Sequence, residues 1–263
     1  MSFWPRLAPR NRSKPPRWVW LLLLLGPVAH FYFWSIHDAL SARDIARKDP
    51  AVWKIPIELS DRAVSSSPGT QLSYLGYDFE VPWTDMDAQR MRRRRDMQIM
   101  VFHSGKLILF RTSPPGKSVG TFAAKNCSDR WRNLLVGLSP EVLSSDYAFT
   151  RAALEATPAH TDRDAITGRG MRLFTLLLMK SVLILPDEDE VFSLKTDNFE
   201  GFEFRSADAR PRNRFRVVLF GKRGEVEFDF VESRRGNKIT QAEINHVIQS
   251  VRRSSADLTA AGQ

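Results

Sequence analysis

From Trp18 to Ile36 the chain runs nineteen residues without a formal charge, with consecutive leucines from Leu21 to Leu25. As a helix, rising about 1.5 Å per residue, that run spans roughly 28 Å, the thickness of a bilayer's hydrocarbon core. Trp18 and Trp20 stand at one end and Phe31, Tyr32, Phe33 and Trp34 at the other. Aromatic rings with a polar tip favour both membrane interfaces. Gly26 and Pro27 interrupt the middle, which a membrane helix tolerates. The expectation is a single transmembrane helix over residues 18–36.

Charge gives that helix a direction. Arg6, Arg10, Arg12, Lys14 and Arg17 precede it with no acid among them, whereas Arg43, Arg47 and Lys48 follow and are matched by Asp38, Asp44 and Asp49. The positive-inside rule then predicts that residues 1–17 are a cytoplasmic tail and that the rest lies outside the cytoplasm; a bacterial periplasm is the working assumption for that compartment. The chain's formal charge of +9 comes from 39 basic and 30 acidic residues, so removing the tail's five leaves 34 against 30. More than half of the net charge is thus a topology signal rather than a nucleic-acid footprint. A cleaved signal peptide ending near Ala39 or Ala42 is the alternative. The apolar run is longer than a signal core, and bulky aromatics crowd that site. One cysteine, Cys127, excludes an internal disulfide framework and a Cys-rich metal site.

The remaining chain reads as one α+β domain over residues 72–253, preceded by a stalk and linker over 37–71 and followed by a flexible tail over 254–263. Tyr77, Phe79 and Val81 alternate with Asp78 and Glu80, as in a strand with one buried face. Met97–His103 and Lys106–Thr112 flank Ser104-Gly105 as a hairpin. Residues 84–95, carrying an arginine run, read as a short helix or loop. Helical spacing covers Ser128–Leu138, a segment opened by Ser139-Pro140-Glu141 and ending near Ala156, and Asp162–Leu185. The second apolar stretch, Leu173–Leu185, is too short to span a bilayer and reads as a core helix. Strands return at Val191–Thr196, Phe199–Arg205, Arg214–Phe220 and Glu225–Val231. Thr240 and Glu243 then make a capping box, with Ile239 and Ile244 placed as a hydrophobic staple. The pattern predicts a mostly antiparallel sheet packed with helices and closed by a C-terminal hairpin and helix.

Tyr77-Asp78-Phe79-Glu80-Val81-Pro82-Trp83, the closing hairpin and Ile244-Asn245-His246-Val247-Ile248-Gln249-Ser250 together resemble the PsbP/Mog1-like fold. The likeness covers the first of these strands and about the last sixty residues. It implies a non-catalytic accessory or binding module.

Catalytic and cofactor motifs are missing from the sequence. It contains no phosphate-binding glycine loop, no H-E-x-x-H and no G-x-S-x-G. The histidines, His30, His37, His103, His160 and His246, are scattered. His103-Ser104 reads as a turn, and Cys127 as a small buried hydrophobe. Asp187-Glu188-Asp189-Glu190 lacks the spacing of a calcium loop and reads as a solvated run. Lys180 amid leucines is expected to snorkel to a helix rim. No cofactor or metal is indicated, and a membrane-anchored hydrolase with a site formed only in the folded chain is the alternative reading. The candidate binding feature is Arg90 with Arg92, Arg93, Arg94 and Arg95. Guanidinium groups pair bidentately with phosphate and carboxylate, so the run suits an envelope protein, an anionic lipid or an anionic polymer. Nucleic acid is disfavoured by the outward topology and the absence of a recognition motif.

Overall fold

The structure is a computed structural model describing residues 40, 41, 43–60, 63–115, 140–160, 170–206, 214–222, 224–232 and 237–254. The predicted span, the Ser128–Leu138 helix and Cys127 lie outside the described residues. No helix among the described residues is long and apolar enough to cross a membrane.

Alternating apolar residues build two sheets. The strands are β1 (Ile57–Glu58), β2 (Thr70–Tyr74), β3 (Tyr77–Val81), β4 (Arg92–Arg94), β5 (Met97–Val101), β6 (Lys106–Ser113), β7 (Glu190–Lys195), β8 (Glu200–Arg205), β9 (Arg214–Gly221), β10 (Gly224–Glu232) and β11 (Arg252–Arg253). Eight of them form one sheet in the order β1-β7-β8-β9-β10-β6-β5-β4, and β11-β3-β2 form a second. Every pairing is antiparallel except β1 with β7. The helices are α1 (Asp146–Glu155), α2 (Gly170–Leu183) and α3 (Gln241–Ser250). The chain is an α+β protein with a mixed sheet.

The main core fills the space between the large sheet, the small sheet and α3. Phe110 and Phe228 are register partners on adjacent strands, and Phe79 from β3 lies 5.0 and 5.3 Å from their ring centroids. Ile244, Val247 and Ile248 close that layer from α3, the stripe expected from their helical spacing. The opposite face carries Val191, Phe202, Phe204 and Val218 against Leu154 and Ile184. Gly201 is required at this crossing, because a Cβ there would lie 2.2 Å from the Val218 carbonyl oxygen.

Several boundaries differ from the sequence reading. Within the expected linker, β1 pairs with Phe192 and Ser193, Leu59 is buried, and β2 begins at Thr70. Leu75 and Gly76, both at positive φ, form the two-residue turn that joins β2 to β3. A leucine at positive φ is not a turn signal, so the hairpin is hidden in the sequence. The cap of α1 is Ser145, whose hydroxyl accepts from the Ala148 N–H at 3.0 Å, while Pro140–Leu143 form a turn. Ser145 with Asp146 supplies both the capping oxygen and the first-turn acid. The polar face of β10 is less wet than its alternation suggests. Asp229 is buried beneath Arg214, at 2.7 Å, and Arg111, at 3.6 Å.

Candidate functional site

The segment 84–95 is loop and turn as far as Met91, but the centre of the arginine run is extended: Arg92, Arg93 and Arg94 are β4, the terminal strand of the large sheet. They pair with Ile99, Gln98 and Met97 of β5 on one side, and the other side carries no strand among the described residues. The backbone pairs because Asp96 and Arg95 turn the chain tightly between two extended segments. All three strand arginines are exposed, as are Arg90 and Arg95 in the flanking turns. None of the five side chains forms an ion pair with a described residue.

The acids of the segment before β4 bond to backbone. Asp85 accepts the Ser104 N–H at 2.5 Å, and Asp87 accepts the N–H groups of Gln89 and Arg90 at 3.1 and 3.3 Å. Both carboxylates are therefore engaged with turn backbone. Arg93 does reach Tyr74 electrostatically. Burial pushes the Tyr74 phenol up, and the guanidinium charge partly offsets it. Three guanidiniums on the edge strand and two in its flanking turns present an array of paired N–H donors to an extended anion.

The other candidates have structural partners instead. Ser104 Oγ is buried without a hydrogen-bond partner, and His103 faces Asp87 at 3.9 Å, so Ser104 and His103 form no nucleophile–base pair. His246 bridges the Ser65 carbonyl, at 2.8 Å, and the Glu80 carboxylate, at 3.2 Å, clasping the loop before β2 onto α3. The acidic run is split. Glu188 is buried and forked by Arg216 at 2.7 Å on each oxygen, while Asp189 lies 3.5 Å from Lys54. Among the described residues, no group of three or more His, Cys, Asp or Glu side chains is placed to hold a metal ion.

Lys180 does not snorkel. It is fully buried, and its ammonium donates to the Ala156 carbonyl at 2.8 Å. Burial pulls its pKa down to about 8. The direction follows from tertiary packing: α2 is covered by α1 on one face and by Val52 on another, so no rim lies within reach.

Sequence reasoning missed the clamp around Glu243. One oxygen accepts from Lys106 and Trp83 at 2.7 Å each, and the other accepts from the Thr240 N–H at 2.8 Å. The capping-box spacing gives the second contact; no sequence signal gives the first two.

No protein-family model matches the chain, and no curated protein matches it either. The described fold and edge define an α+β domain with a cationic terminal strand.

Proposed function

We propose that this chain is a single-pass membrane protein whose α+β domain lies outside the cytoplasm as a binding or assembly module, and that β4 is its docking edge. The observation that carries the reading is the run of five exposed arginines, three on the terminal strand and two in its flanking turns, with no ion pair and no further strand on that edge among the described residues. The partner it fits is an acidic, extended protein segment, which would add main-chain hydrogen bonds to β4 and carboxylates to its guanidiniums. A second copy of β4 would place arginine against arginine and is repelled. The charge-free run with its basic flank supports the anchor, and the resemblance to the PsbP/Mog1-like fold agrees with a non-catalytic role.

Two measurements test the reading. A reporter active only outside the cytoplasm, fused after Gln263, is expected to be active on a membrane-bound product of full size. An inactive, stable fusion would place the domain inside the cell. Binding of a polyglutamate probe to full-length protein in detergent is expected to fall at least tenfold in the R92E/R94E variant and to weaken steeply with salt. Unchanged binding removes the docking edge.

A further inference from the structure

Five of the six large apolar side chains exposed among the described residues, Leu40, Trp53, Ile55, Ile57 and Val64, fall between positions 40 and 64. The densest part is Trp53, Ile55 and Ile57, at alternate positions and each more than half exposed (53%, 52% and 64%). Their outward aim is fixed. Lys54, between the first two, is extended and tied inward to the Glu188 carbonyl at 2.5 Å and to Asp189 at 3.5 Å. Val52 before them and Leu59 after them are buried. The Trp53 indole N–H is also satisfied, donating to the Ala46 carbonyl at 3.1 Å. Only its apolar ring is left to meet a partner.

That hydrogen bond folds the chain back. It sets Trp53 beside Ala46, ten residues beyond the end of the predicted span at Ile36, a rise of about 15 Å if the intervening chain were helical. Seating the tryptophan at the headgroups therefore requires the stalk to tilt strongly from the membrane normal. The helical stretch beside it exposes Arg43 and Arg47, cations suited to anionic lipid, while Lys48 is paired with Asp44 at 2.6 Å. Trp and Ile side chains with arginine alongside are the chemistry of an interfacial contact.

We propose that Trp53, Ile55 and Ile57 form a wedge that seats the domain on the outer leaflet of the membrane holding its anchor. The inference rests on the anchor reading, and its test separates the two. Full-length protein with Cys127 replaced by serine would carry a single environment-sensitive probe at Leu23→Cys, Ile57→Cys or Val182→Cys, reconstituted in phosphatidylcholine and phosphatidylglycerol vesicles containing brominated lipid. Val182, on α2, is also an exposed apolar side chain, at 60%, and serves as the control. Quenching is expected at Leu23 from deep bromines and at Ile57 from shallow bromines, severalfold above that at Val182. Quenching at Leu23 with Ile57 no better than Val182 would overturn the wedge and keep the anchor. No quenching at Leu23 would overturn both. A Trp53→Ser/Ile55→Ser background should return the Ile57 signal to the control level; a persistent signal would remove those two residues from the wedge.

Discussion

Glu243 joins three parts of the molecule through one carboxylate: the start of α3, Trp83 after β3 and Lys106 at the head of β6. Lys106 also lies over the Trp83 ring at 4.6 Å. Burial pushes the Glu243 carboxyl up, but hydrogen bonds from Lys106, the Thr240 backbone and Trp83 outweigh it, so its pKa lies below the ordinary 4.5. A depressed carboxyl contributes stability that is present above its unfolded pKa and lost as the pH falls through the folded one. Glu243→Gln should cost about 1.5–3 kcal/mol at pH 7 in urea melts, with the gap to wild type closing below pH 4.5. Lys180 works in the opposite direction. It meets no acid among the described residues, and its fall from 10.5 to about 8 corresponds to a cost of about 3 kcal/mol for holding the charge in the core. Below pH 8 both states are protonated and that cost is complete. Between pH 8 and 10.5 the unfolded chain binds more protons, so stability rises with pH. Lys180→Met is expected to stabilise the protein by about 1–3 kcal/mol at pH 7, since the half-buried Ala156 can offer its carbonyl to water. Denaturant melts from pH 7 to 10 should lose the alkaline rise in the variant; an unchanged rise would assign it to other groups.

At the scale of elements, the proposed docking role asks β4 to be both an interface and a barrier. A free edge invites pairing with another chain, and charge on the edge is a common defence. Replacing Arg92, Arg93 and Arg94 with threonine keeps β propensity and removes the charge. The variant should self-associate with rising concentration in sedimentation runs where wild type does not. A monomeric variant would show that the charges do not guard the edge. This element was only half legible from sequence. The run itself is plain, yet arginine has no strong strand preference, and β4 exists because β5 offers it a register. The β9–β10 hairpin and the capping box of α3 were readable because their signals are local: alternation, glycines at the turn, and a T-x-x-E at helix spacing. Lys180, Glu188 and the Trp83–Lys106–Glu243 clamp were not, because whether a charged residue is solvated or buried depends on what packs over it from far along the chain. The same holds for Trp53, Ile55 and Ile57, which read as an ordinary linker until Lys54 is seen to be tied inward.

At the scale of the whole molecule, the strand order separates the two surfaces proposed above. The wedge residue Ile57 belongs to β1 and the arginines to β4, the two ends of an eight-stranded sheet. Seven intervals of about 4.8 Å place those edges roughly 34 Å apart. A domain standing upright on the bilayer through β1 would hold its cationic edge well beyond the Debye length of about 8 Å at physiological salt. The arginines would then feel little of the anchoring membrane's charge and remain free for a partner. Energy transfer to acceptor-labelled lipid tests this directly on the full-length Cys127→Ser protein in vesicles, with the donor at Ile57→Cys or at Asp96→Cys, in the turn between β4 and β5. Transfer should be strong from position 57 and weak from position 96, and raising the anionic lipid content should not bring them together. Equal, strong transfer from both positions would mean that the sheet lies flat on the membrane. The arginine edge would then be reading lipid headgroups, and the acidic-segment partner would fall.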